Sequence, residues 1–202
     1  MLTKEEKYKL STEMFNKYII PSLKETKLFD EIFTVEGKSN KLYKIFDMIS
    51  GVDAFVKIGN NLHGLASRIQ KSKNGELKIY KTFSLRNNVQ KHYFGGETEL
   101  ERVMKDTSDV VSPYFTTQSY VNTTDNTIMI GICLTKDLKE LIKRNQYKIN
   151  HTSKDDTHQS QFYTVKWSSI EGYKKFLKVF NLKYKTINEK KIKIIEINQY
   201  SS

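Results

Sequence analysis

The chain has 202 residues, 38% of them hydrophobic and 12% aromatic, which supplies one sizeable core and argues against disorder. No run approaches the ~20 apolar residues of a membrane span, and the charged start Met1-Leu2-Thr3-Lys4-Glu5-Glu6 lacks the apolar stretch of a signal peptide, so a cytoplasmic protein is expected. A net charge of +11 creates a positive field suited to phosphate backbones or anionic membranes, although abundant Lys, Asn, Ile and Tyr also fit an AT-rich coding sequence.

In chain order, Thr3 to Glu6 fits a capping box opening a helix that runs to about Lys24. Phe15, Tyr18, Ile19 and Leu23 stand at helical spacing, and Pro21 can kink or end the helix. Residues 28–35 read equally as a short helix or a strand. Leu42 to Ile49 leads into Ser50-Gly51-Val52-Asp53 and the apolar Ala54-Phe55-Val56. Gly59-Asn60-Asn61 is a hairpin turn, a second strand covers Leu62 to Gln70, and Asn74-Gly75 turns into a third through Leu77, Ile79, Phe83 and Leu85. Residues 50–86 are therefore predicted to form a three-stranded antiparallel meander.

Glu97 to Asp106 reads as a helix entered after Gly95-Gly96. Strands at about 114–122 and 126–134 flank the turn Thr123-Thr124-Asp125-Asn126, and Thr135 caps a helix over Lys136 to Arg144. Residues 145–160 read as a long polar loop, followed by a strand over Gln161 to Trp167. Ser168-Ser169-Ile170-Glu171 is a second capping-box candidate, and Lys190 to Tyr200 a final strand. Without repeats or an evident linker, 1–202 is expected to be a single domain of the α+β (mixed α/β) class, its largely antiparallel or mixed sheet flanked by helices.

The second strand's period of two puts Gly64, Ala66, Arg68 and Gln70 on one face, beside the strand that Asp53 begins. Arg86 ends the third strand, and Glu97, Glu99, Glu101 and Arg102 follow. One carboxylate, one amide, two guanidinium groups and a glutamate can thus converge. The lone Cys133 lies in an apolar run and reads as a buried hydrophobe; His63, His92, His151 and His158 show no ligand spacing and read as turn or surface residues.

Ser50-Gly51-Val52-Asp53, Gly64 to Gln70 and, more loosely, Thr98-Glu99-Leu100-Glu101 make the chain resemble the PD-(D/E)xK, or restriction-endonuclease-like, nuclease superfamily. The resemblance covers roughly 3–110, within a nuclease-like core of about 3–134 that 135–202 follows as a C-terminal basic extension. It implies a Mg²⁺-dependent endonuclease in which Asp53, Gln70, Arg68 and Glu99 are catalytic and Asp53, Gln70 and Glu13 hold the ion. The departures are that no lysine stands two residues after Gln70, that Gln70 is a neutral ligand, and that Arg68 stays protonated and cannot act as a base.

Lys71, Lys73, Arg86, Lys174 and Lys175 are the candidate contacts to nucleic acid, DNA before RNA. Phe176 and Phe180, interleaved with lysines, read as a helix core stripe ahead of a base-stacking surface. The expected function is a nuclease from a phage, plasmid or restriction setting. The alternatives are a non-cutting nucleic-acid-binding protein on the same fold, or a protein-interaction factor with a basic surface. A homodimer is compatible with each, and no membrane partner is expected.

Overall fold

A widened helical turn shapes the start of the protein, a computed structural model that describes residues 4–35, 51–72, 76–88, 98–104, 113–152 and 160–200. Helix α1 (Lys4–Met14) passes through a π turn (Phe15–Ile19) into α2 (Ile20–Glu25), so the expected helix is continuous past Pro21. Pro21 has no N–H and its ring crowds the carbonyl one turn back. In the π turn Ile20 donates to the Phe15 carbonyl, five residues back, and the Ser22 hydroxyl donates to the Tyr18 carbonyl at 2.6 Å. Phe15, Tyr18, Ile19 and Leu23 are all buried. Thr3, the proposed cap, lies outside the described residues.

Among the described residues ten strands follow: β1 (Glu31–Thr34), β2 (Ala54–Ile58), β3 (Asn61–Lys71), β4 (Thr82–Asn88), β5 (Phe115–Asn122), β6 (Thr127–Leu134), β7 (Lys148–Thr152), β8 (Ser160–Lys166), β9 (Leu177–Asn188) and β10 (Lys191–Tyr200). Seven form a curled mixed sheet in the order β1-β2-β3-β5-β6-β9-β10, and three form a small sheet in the order β4-β8-β7. Every pairing is antiparallel except β3 with β5. Three short helices complete the described chain: α3 (Glu99–Met104), α4 (Thr135–Lys143) and α5 (Trp167–Gly172).

The large sheet buries both faces. On one, Leu65, Val121, Ile130 and Phe180 pack with Phe15, Ile19 and Leu23 of the helical layer. On the other, Tyr120, Cys133 and Leu177 pack with Phe83, Val165, Trp167 and Ile170 of the small sheet and α5, and with Leu138 and Leu141 of α4. The fold is therefore a mixed sheet with helices, as expected, with strand outweighing helix. Among the described residues no helix is long and apolar enough to cross a membrane.

Several local readings are corrected. Residues 50–86 are not a meander: β2 and β3 form the hairpin through the Gly59–Asn60 turn, with Gly59 at φ +57°, but β4 leaves to pair with β8. The neighbour of β3 is instead β5, reached after β4 and α3, which makes that pair parallel. Part of the expected loop at 145–160 is β7. Thr135 does not cap its helix; Leu134 holds that position, and the Thr135 hydroxyl meets that of Thr116 at 2.8 Å. Ser168 and Ser169 lie inside α5, which starts at Trp167 and has no side-chain cap. Phe180 is core, but in a strand: Phe180, Leu182 and Tyr184 alternate inward along β9. The region 135–202 supplies β9 and β10 to the large sheet and β7 and β8 to the small one. The segment 42–49, the Asn74-Gly75 turn and the ends of the 97–106 helix lie outside the described residues.

Candidate phosphate-binding site

Strand β3 sends Leu65 and Ile69 toward the helical layer, so Ala66, Arg68 and Gln70 face the small sheet. Across the parallel ladder Arg68 stands beside Gln118, and Gln70 beside Tyr120. From the opposing layer, β4 presents Arg86 directly across from Phe162 of β8. The two guanidinium carbons lie over that one ring, at 5.0 Å for Arg68 and 5.8 Å for Arg86 from its centroid.

Glu99 closes the group. Arg68 Nη2 donates to its Oε2, and the Arg86 backbone N–H donates to the same oxygen at 2.9 Å. A capping box fixes the carboxylate there. Thr98 N–H donates to Glu101 Oε2 at 2.9 Å, Glu101 N–H donates to Thr98 Oγ1 at 3.2 Å, and α3 then starts on Glu99. Burial works to raise the Glu99 carboxyl, but the charges of Arg68 and Arg86 and the Arg86 N–H outweigh it and hold the group below its ordinary value. Lost hydration and the like charge of Arg68 lower Arg86. The cluster stays cationic, with two guanidinium groups around one carboxylate.

Asp53 sits at the mouth of the hairpin. Its Oδ2 accepts the Ser67 N–H at 2.5 Å and its backbone N–H reaches the Leu65 carbonyl at 2.9 Å. The carboxylate thereby takes over as acceptor where the β2 ladder ends. Two residues earlier, Gly51 at φ +63° lets Arg102 of α3 pass close: a Cβ there would stand 3.0 Å from Arg102 Nη1.

The expected site is thus assembled in part. Arg68, Arg86 and Glu99 are in direct contact, and Gln70 shares their sheet face but donates its Nε2 to the Lys78 carbonyl at 3.2 Å. Glu13 is exposed on α1, in the layer on the other face of the sheet, and is not brought to Asp53 and Gln70. Among the described residues no three His, Cys, Asp or Glu side chains gather as a metal cluster. With Glu13 on the other face of the sheet and Gln70 bonded to the Lys78 carbonyl, the expected Mg²⁺ donors Asp53, Gln70 and Glu13 are not gathered around one position, whereas the arginine pair presents donors suited to an anion. Lys71 and Lys174 are exposed, Lys175 is bound by Glu140 and lies 3.9 Å from Asp137, and Lys73 lies outside the described residues.

Sequence reasoning missed Phe162 and Gln118. Gln118 is buried beside Arg68, and its Oε1 has no hydrogen-bond partner among the described residues. Only the strand pairing reveals either. Cys133 is buried as expected, its thiol pushed well up by burial and by the Asp137 charge. His63 is not a turn residue: its ring packs 4.4 Å from that of Tyr114. His151 is exposed on β7, and His92 and His158 lie outside the described residues. No family model, curated protein or solved structure matches the chain.

Proposed function

We propose that the protein binds nucleic acid, DNA before RNA, by taking backbone phosphate at Arg68 and Arg86 on a divergent restriction-endonuclease-like core. The observation that carries the reading is the shared seat of both guanidinium groups on Phe162, with the Glu99 carboxylate taking the Arg68 guanidinium and the Arg86 backbone N–H. A guanidinium presents planar donors that match phosphate oxygens, and stacking fixes its orientation beforehand. Glu99 holds the pair together and occupies the place of an anion, so a phosphate competes with it. The net charge of +11 supplies attraction that is independent of base sequence.

Fluorescence anisotropy with labelled DNA and RNA tests this. Binding should weaken steeply with salt and fall in the Arg68→Ala, Arg86→Ala double variant. Unchanged affinity in that variant overturns the assignment.

Strand cleavage is the second reading, favoured by the hairpin that carries Asp53 at its mouth and Arg68 and Gln70 on the adjoining strand. Incubation of DNA and RNA with Mg²⁺ or Mn²⁺ decides it. Cleavage lost in Asp53→Asn supports a nuclease; intact substrate in every form leaves a binding protein.

A further inference from the structure

We propose that the groove between the segment after β3 and the far end of the large sheet binds a nucleobase; the inference rests on the nucleic-acid reading above and names what the protein contacts besides phosphate. The groove has a volume of about 310 Å³. Ile79, Tyr120, Met129 and Tyr200 supply its apolar and aromatic walls, while Asn181 and Asn198 supply amides.

The strand registers explain why these groups meet. Gln70, Tyr120, Met129, Asn181 and Asn198 form one unbroken rung across β3, β5, β6, β9 and β10. The next rung runs Arg68, Gln118, Gly131, Val179 and Tyr200. Paired residues project from the same face, so the arginine site and Tyr200 end a single row four strand spacings long, about 19 Å. Trp167 covers the row at Gly131, which leaves the two ends as separate openings.

The polar groups are already oriented. Asn181 Nδ2 donates to the Tyr200 hydroxyl at 2.8 Å, and Asn198 Nδ2 donates to Glu196 Oε1 at 2.8 Å, Glu196 being also paired with Lys183 at 3.1 Å. Each amide donates through its Nδ2, so its carbonyl oxygen is the atom that can accept from the edge of a base. Tyr200 is 55% exposed and Ile79 43%, so both of these lining side chains are open to an incoming planar ring. An aromatic wall with amides at one edge is how an unstacked base is held. A purely apolar peptide would leave both amide oxygens dry and unbonded.

The experiment compares a short fluorescein-labelled single-stranded oligonucleotide with its abasic counterpart, which has the same phosphates and no bases. Wild type should bind the base-bearing strand about tenfold or more tightly. Tyr200→Ala should abolish that preference and Tyr200→Phe should retain it, while Arg68→Ala with Arg86→Ala should weaken both strands alike. Equal binding of the two strands by wild type, or a preference that survives Tyr200→Ala, overturns the pocket and leaves the phosphate site standing.

If neither strand binds, the phosphate reading fails and the groove is judged by itself, by titrating phosphate-free nucleosides into wild type. Shifts of the Asn181 and Asn198 side-chain amide signals in NMR support it. No shift, or displacement by an apolar peptide alone, overturns it.

Discussion

Glu99 binds Arg68 through the same carboxylate oxygen, Oε2, that receives the Arg86 backbone N–H. One atom therefore ties α3, β3 and β4 together, and with them the large sheet to the small one. Losing it should loosen the link between the layers and uncover the arginines at once.

Glu99→Gln is accordingly expected to lower stability by about 1 kcal/mol, as for a partly exposed pair, and to raise affinity for nucleic acid by removing the competing carboxylate. Denaturant titration and anisotropy measure the two effects. The folded Glu99 carboxyl lies below its ordinary value, so its stabilisation is complete above the unfolded pKa of about 4.3 and is lost as pH falls through the lower folded value. The stability gap between wild type and Glu99→Gln should narrow on acidification below that range. A gap independent of pH contradicts the pairing.

Asp53 carries a structural duty whatever its chemistry. Asp53→Ala removes the acceptor of the Ser67 N–H and should cost about 1–3 kcal/mol. Asp53→Asn keeps an acceptor oxygen and should cost less, which makes it the cleaner test of cleavage. Equal melting of the two variants would refute the bracing role.

Gly131 is a packing requirement. A Cβ at this position would overlap the Trp167 indole, so Gly131→Ala should destabilise by about 2–3 kcal/mol or more in thermal melts. A neutral effect would show that Trp167 does not seat on the strand.

Lys174 and Lys175 separate by role. Lys175→Ala should lower the melting temperature, since its ammonium is held by Glu140 and lies near Asp137 of α4. Lys174→Ala should leave stability unchanged, because Lys174 is exposed. Parallel melts of the two variants check the distinction, and equal loss in both contradicts it.

What could be read from the sequence was local. Phe15, Tyr18, Ile19 and Leu23 repeat at helical spacing and are core, and alternation along β3 put Arg68 and Gln70 on one face. The Gly59 and Thr123–Asn126 turns follow from residues suited to tight reversal. Pairing was not legible, because β4 alternates as a meander strand would and nothing nearby declares that its partner is β8. Phe162 escaped for the same reason: its place beneath two arginines is set by contacts between residues far apart in the chain. The helix read over the Phe176–Phe180 spacing failed because those positions also fit a strand's period of two.

The dependence of nucleic-acid affinity on salt tests the central claim most directly. Each lost phosphate contact lowers the slope of log K against log salt by roughly 0.7 for single strands and 0.9 for duplex. The Arg68→Ala, Arg86→Ala double variant should therefore lose about twice that amount relative to wild type while staying cooperatively folded, with a melting temperature lowered by the lost Glu99 pair. A slope identical to that of wild type would mean that phosphate is held elsewhere, and the site described around Phe162 would have no part in binding.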